Sequence, residues 1–348
     1  MENRMSENKT PTAEAPPPHA QLVQMGTAYW VSRVVHAAAE LGLADHLAQG
    51  PQSAEVLAKL TQTQAPALYR LLRTLAGLGL FTEHATHRFA LTPLGAALQT
   101  GAPGSARATI LTLCSSWVSR AWEEMLYSLQ TGKPSFDKAN GAPIFDWLAA
   151  HPKEASLFGE TMIGFHGAEP AAVAAAYDFS GFKIVVDVGG GTGNLLTTIL
   201  AAQPAPRGVL FDLPHVGPEA ATLIQQRGLT GRVEVQVGSF FESVPEGGDA
   251  YLLSHVIHDW NEQQCLTILG HCHRAMKPGA KLLLIEMVLP PGDTFHPGKL
   301  LDMMMLVGPG GQERTTEEYR SLFAKADLRL TRVIPTASAV SIVEAVKA

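Results

Sequence analysis

From Ile184 onward, short apolar runs alternate with amphipathic stretches. The runs Ile184–Val188, Gly208–Asp212, Val233–Val237, Ala250–His255 and Lys281–Met287 are rich in Val, Ile and Leu. Mostly apolar runs of this length predict strands of a parallel sheet. Helical segments fall between them, and strands that alternate with helices pack as a doubly wound layer with helices on each side. A helix over Thr316–Ala326 and two further runs, Leu328–Ile334 and Val340–Val346, predict a closing antiparallel hairpin. No internal repeat is visible.

The first part of the chain has a different period. Leu22, Met25, Tyr29, Val31, Val34 and Val35 recur at helical spacing up to Leu41-Gly42. Ser53 stands as N-cap to a second helix, Ala54–Leu60. A third, Ala65–Leu78, carries Leu68, Leu71, Leu72 and Leu75 on one face and stops at Gly79. Two short strands, Leu80–Thr82 and Arg88–Leu91, follow across a polar turn, and three helices with a hairpin describe a winged helix. Residues 1–20, polar and then proline-rich, read as a disordered tail. The expected domains are therefore the tail 1–20, a winged-helix domain 21–100, a helical linker and pocket region 101–180, and a catalytic domain 181–348. Between Leu94 and Phe179, Trp117, Trp122, Met125, Phe145, Trp147, Phe158, Met162 and Phe165 read mainly as helix core, with some free to wall an apolar pocket.

Charge narrows the function. The 348 residues carry a formal net charge of -6, and the third helix of the winged domain offers only Arg70 and Arg73. A protein built to neutralise phosphates needs the opposite balance, so nucleic acid is excluded as the expected partner. Tyr29, Trp30 and the apolar first helix exceed what one small domain needs for its own core, which points to dimerisation instead. Cys114, Cys265 and Cys272 lack framework spacing, the odd count fits reduced thiols, and no run of 18 or more apolar residues occurs. A cytoplasmic protein without membrane contact is the expectation.

The candidate chemistry lies at the strand ends, where open α/β sheets bind ligands. Asp187 precedes a turn in which Gly189, Gly191 and Gly193 let backbone approach a nucleotide-like ligand. The third glycine of the dinucleotide pattern would fall on Asn194, which weighs against a nicotinamide or flavin. Asp212, before Leu213-Pro214, ends the second strand, where its carboxylate can take both hydroxyls of a ribose. A helix N-cap is the structural alternative. Ser239 and Phe240 end the third strand, and Phe240 can pack on a purine or in the core. Ser254 to Trp260 follows the fourth, with His258-Asp259 placed for a base. His255, His258 and Asp259 could also form a facial metal triad, although no better-spaced ligand set supports one. A phenol titrates near ~10 and a free imidazole near ~6.5, so full proton transfer is uphill by about 5 kcal/mol. Neighbouring carboxylates would raise the imidazole and narrow that gap, and Glu286 and Glu313 are placed to do so.

Five segments now stand in order: Val186-Asp187-Val188-Gly189-Gly190-Gly191-Thr192-Gly193, Phe211-Asp212-Leu213-Pro214, His258-Asp259-Trp260, Ile285-Glu286-Met287-Val288-Leu289-Pro290 and Gly310-Gly311-Gln312-Glu313-Arg314-Thr315. Together they resemble the S-adenosylmethionine (SAM)-dependent O-methyltransferases of the caffeate/hydroxyindole type and their bacterial natural-product relatives, from about Leu22 onward. The resemblance implies a Rossmann-like class I methyltransferase domain with a seven-stranded, mostly parallel sheet, joined to an N-terminal winged-helix dimerisation domain. It implies that His258 is the general base, flanked by Glu286 and Glu313, that no metal is needed, that Asp212 holds the cofactor ribose, and that the chain forms a homodimer. Met162, Phe165, Asp302, Met303 and Met305 fall where family members line the acceptor pocket. The consecutive methionines suggest an adaptable cavity for a small aromatic or polyketide-like acceptor. Ser239 and Ser254 depart from the family, replacing an Asp near the adenine and a Lys on the cofactor of plant members. Two rivals stay open: non-methylating use of bound SAM, and a SAM-sensing winged-helix regulator.

Overall fold

The computed structural model describes residues 16–348. Residues 1–15, most of the expected tail, and the side chain of Phe165 lie outside the described residues. The chain forms two compact units that divide between Cys114 and Ser115.

In the first unit, helices Pro18–Thr27, Tyr29–Glu40, Leu43–Leu47, Ala54–Leu60 and Ala65–Gly77 surround a small antiparallel sheet. Its middle strand, Arg88–Leu91, pairs with Phe81–His84 on one side and with Gln52–Ser53 on the other. Ser53 accepts the Val56 amide at 3.4 Å and so starts its helix as expected. Leu43, Leu57, Leu72, Leu75 and Phe89 make the fully buried core. The first helix begins at Pro18, inside the expected tail, because proline at the first helical position loses no needed hydrogen bond. The unit also extends past residue 100: Ile110 and Leu111, on helix Arg107–Leu113, pack on its core.

The second unit is built on a seven-stranded sheet, numbered here β1 (Ile184–Val188), β2 (Arg207–Asp212), β3 (Val233–Val237), β4 (Ala250–Ser254), β5 (Lys281–Glu286), β6 (Leu328–Pro335) and β7 (Ser341–Lys347). The spatial order is β3-β2-β1-β4-β5-β7-β6, with β7 antiparallel to both of its neighbours, β5 and β6, and all other pairings parallel. Tyr251, Leu253, Ile268, Tyr319 and Phe323 pack one face, and Val185, Leu196, Ile199, Leu252 and Leu283 the other. The strand order reverses between β1 and β4, which opens a crevice at their carboxyl ends. A helical layer upstream has its own aromatic core, where Trp117 and Trp147 stack at 5.0 Å with Phe136 across their edges and Met304 packed alongside. Two short strands, Val288–Leu289 and Arg314–Thr315, pair in parallel and bring the Gly310–Thr315 segment beside the end of β5. Among the described residues, no helix is long and apolar enough to cross a membrane.

Candidate active site

The turn after β1 is a cradle that side chains would fill. Gly189, Gly191 and Gly193 have φ of 69°, 56° and 78°, the left-handed region that glycine enters without cost. A Cβ on Gly190 would lie 2.6 Å from the Asp187 carboxyl, so backbone and acid meet in close packing. Asp212 at the end of β2 closes the cradle: one carboxylate oxygen accepts the Gly191 amide at 2.7 Å and the other accepts the Leu213 amide at 2.6 Å. Asp212 is half-buried and Leu213 exposed, which leaves this rim open to a ligand. Asp187 is different. It is fully buried beneath the turn, and neither oxygen has a partner at hydrogen-bond geometry. Burial, with the Asp212 charge next, pushes its carboxyl up to about 7, and the Leu196 amide offsets this only in part. Asp187 therefore does not reach a ligand directly. It sets the potential under the backbone that would.

Phe240 stands against the cradle, since a Cβ on Gly189 would meet its ring at 3.3 Å. It is also half-buried on the sheet core and meets Trp260 edge-on at 6.0 Å, which fits the core alternative. Ser239 uses its hydroxyl to accept the Phe241 amide at 3.2 Å, and Ser254 is half-buried at the end of β4. The glycine cradle, the Asp212 carboxylate and the orphan Asp187 charge fit a cationic nucleoside such as SAM.

The second half of the site follows β4. That strand stops at Ser254, one residue earlier than expected, because His255 takes a left-handed φ of 53° that no strand can continue through. The next residues turn as a 3-10 helix, Ile257–Asp259, which faces His258 inward. Its Nδ1 lies 2.6 Å from Glu313 and 3.4 Å from Glu286, while Nε2 stands 3.6 Å from Asp259. The other Glu286 oxygen accepts the Ile257 amide at 3.0 Å and the His258 amide at 3.4 Å. Asp302 accepts the Glu313 amide at 2.9 Å, so it supports the turn that carries the acid as well as standing near the expected pocket. Met303 is half-buried, Met305 buried and Met162 half-buried. The structure thus brings His258, Asp259, Glu286, Glu313 and Asp302 together.

The electrostatics correct one expectation. The carboxylates were expected to raise the imidazole, yet burial wins and pushes His258 down to about 4, the Asp259 charge offsetting it only partly. The acids are buried too. Desolvation pushes Glu313 up to about 7, Asp259 up to about 6 and Glu286 well above the usual carboxylate range. An acid that is itself reluctant to ionise lends little charge to its neighbour. His258 is consequently neutral, with its Nδ1 side turned to Glu313.

Two features escaped the sequence. His255 Nε2 pairs with Glu169 at 2.8 Å, and both are buried. Arg314 is buried under the catalytic turn. Helical or strand period reveals neither, because the partners lie far apart in sequence. Among the described residues, His255, His258 and Glu286 have donor atoms within 4.8 Å of one another, a spacing open to a metal ion. Each already serves Glu169, Glu313 or the turn amides, so we do not assign them as ligands.

Comparisons agree with this geometry. Residues 122–329 match the O-methyltransferase domain and residues 23–101 the O-methyltransferase dimerisation domain. The chain is 45% identical to phenazine O-methyltransferase PhzM of Lysobacter antibioticus over 341 residues, covering 98% of this chain and 99% of that one. The crystal structure of LaPhzM superposes with a TM-score of 0.91 at 44% identity, covering 96% of this chain and 100% of the other. NcsB1 of neocarzinostatin biosynthesis, solved with SAM and 2-hydroxy-5-methyl naphthoic acid, gives a TM-score of 0.81 at 34% identity, with 91% and 96% covered. The chain belongs to the SAM-dependent O-methyltransferases of the caffeate/hydroxyindole type, on the side of their bacterial natural-product relatives. It is an O-methyltransferase family enzyme whose cofactor is SAM.

Proposed function

We propose that the enzyme methylates a phenolic hydroxyl of a polycyclic or otherwise extended aromatic metabolite, with His258 as general base. SAM bound in the cradle supplies the methyl group on its sulfonium. The chain's own residues do the rest. Gly189–Gly193 and Asp212 hold the nucleoside end, with Leu213, Ser239, Phe240 and Ser254 around it. Met162, Met303 and Met305 wall the acceptor side, and Asp302 steadies the loop beside it. The acceptor class follows the relatives, which act on a phenazine or are solved with a hydroxynaphthoic acid.

The observation that carries the reading is the 2.6 Å contact between His258 Nδ1 and Glu313. His258 takes the phenolic proton on Nε2 while the Nδ1 proton moves toward Glu313, so no isolated imidazolium forms in the buried site. Proton transfer to an imidazole near 4 would cost about 8 kcal/mol. Passing the Nδ1 proton to a carboxylate near 7 reduces this to about 4 kcal/mol. Orientation of the acceptor against the methyl supplies the larger part of the acceleration.

The test is His258→Ala, assayed with methyl-labelled SAM against hydroxyphenazines and hydroxynaphthoic acids. Turnover should fall about 100-fold or more, while S-adenosylhomocysteine still binds within a few-fold of wild type by calorimetry. Undiminished turnover would remove His258 as base. Label that never reaches the acceptor would favour non-methylating chemistry. We also propose that the N-terminal unit forms a homodimer.

A further inference from the structure

We propose that Arg314 is a positioning residue that balances the buried charge of the His258–Glu286–Glu313 site and fixes the turn bearing the base. It is 4% exposed. Buried arginines are usually paired with a carboxylate, yet among the described residues Arg314 has no carboxylate within 4.0 Å. Its donors go to uncharged groups. One nitrogen donates to the carbonyl of Ile257 at 3.3 Å and to that of Gln312 at 3.0 Å, and another lies 3.6 Å from Cys265 Sγ.

These acceptors are informative. Ile257 directly precedes the base, and its amide is held from the other side by Glu286. Gln312 directly precedes Glu313, and its amide donates to the His258 carbonyl at 2.7 Å. Arg314 thus joins the two loops that carry the base and its acid. An unpaired buried guanidinium acts on the carboxyls nearest it, and Glu286 and Glu313, each with one unpartnered oxygen, are those groups. On the turn after β4 and on β5, the titratable groups that feel its charge are His258 and Glu286. Glu313 faces it from its own loop, Asp302 from helix Pro297–Val307, Cys265 from helix Glu262–Ala275 and Tyr319 from helix Thr316–Lys325. The positive charge favours the carboxylate forms of Glu286 and Glu313 and disfavours an imidazolium at His258. Both effects keep the site able to accept a proton. The proposal rests on His258 being the base.

The experiment uses the full chain saturated with S-adenosylhomocysteine and needs no acceptor for its first readout. The carboxyl carbon of Glu313 is titrated by NMR and assigned by its loss in Glu313→Gln. In wild type the midpoint is expected near 7. Arg314→Met should raise it by about one pH unit or more, and Arg314→Lys, which keeps the charge, should leave it within about 0.3 units. With whichever hydroxyaryl acceptor wild type methylates, Arg314→Met should lose about 10-fold or more in kcat with little change in KM for SAM. Its acid limb should move to higher pH, and Arg314→Lys should recover most of the loss. Equal midpoints in wild type and Arg314→Met overturn the proposal, as does a shift in Arg314→Lys as large as in Arg314→Met. If Arg314→Met does not fold, charge balance requires that adding Glu313→Gln restore folding, and failure to restore it overturns the proposal too. A shifted midpoint in a protein that methylates nothing would sink the acceptor reading and leave this one standing.

Discussion

At the scale of single residues, the site consists of groups kept from the charge they would carry in water. Asp187 is the simplest case, buried without a hydrogen-bond partner and titrating near 7. In the unfolded chain it titrates near ~3.9. A folded-state value above the unfolded one means that stability is fully present below about pH 4 and is lost as pH rises through about 7. The cost of keeping this carboxylate ionised is about 4 kcal/mol above that window. Asp187→Asn should therefore unfold at a higher temperature than wild type at pH 8 in the absence of cofactor, with the difference shrinking toward pH 5. A pH-independent difference in melting temperature would show that the burden lies elsewhere. The same substitution should weaken binding of SAM, with its cationic sulfonium, more than binding of S-adenosylhomocysteine at pH 8, since the charge under the cradle is gone. Asp187, Asp212, His258, Glu286 and Glu313 were legible in the sequence because each lies at or just past the end of a strand or sits in a glycine-rich turn. The downward direction of the His258 shift was not. It depends on how deeply the neighbouring acids are buried, and the spacing of residues along a chain carries no such information. His255 and Glu169, and Arg314 with its carbonyl partners, were illegible for the same reason.

At the scale of elements, the catalytic geometry comes from two loops meeting over the ends of β4 and β5. The strands were predicted almost to the residue, because the inner parallel strands, buried on both faces, leave mostly apolar runs, while the edge strand β3 alternates apolar and polar positions. The exception is informative. The run through Ala250–His255 looks like strand, yet His255 leaves the β region and swings the following residues into the turn that presents His258. The Gly310–Thr315 loop approaches that turn so closely that a Cβ on Gly311 would fall inside the His258 carbonyl oxygen and on the carbonyl carbon of Asp259. Backbone cannot yield as a flexible side chain can. Gly311→Ala must push the loops apart, lengthening the 2.7 Å bond from the Gln312 amide to the His258 carbonyl and pulling Glu313 from the imidazole. The expected result is a loss of about 3 kcal/mol, seen as a melting temperature lower by roughly 5–10 °C, with kcat reduced at least about 10-fold. Affinity for S-adenosylhomocysteine should stay within about 3-fold, because the cradle lies on other strands. Unchanged kcat in Gly311→Ala would mean that the two loops do not need this contact.

At the scale of the whole molecule, the first helix poses a question that a lone chain does not answer. Pro18–Thr27 buries none of its residues, with Leu22 and Met25 each 70% exposed, and the next helix opens with Tyr29 and Trp30 at 60% and 59%. A ten-residue helix is marginal in water on its own. A contiguous apolar surface of this kind marks an interface. The sequence pointed here through an excess of apolar residues over the needs of a small core, and residues 23–101 match a dimerisation domain, which supports the proposed homodimer. Light scattering on the eluting protein at about 10 µM should give twice the 37.2 kDa chain mass. Replacing Met25 and Trp30 together by Glu places charge where the proposed second copy would pack, and desolvating those charges would cost several kcal/mol per copy. That variant should elute as a monomer with its second unit still folded and its S-adenosylhomocysteine site intact, since none of the residues assigned to that site lies before Ser115. A wild-type monomer at this concentration would leave the exposed helix without a function in assembly. A variant that remains dimeric would move the interface to another face.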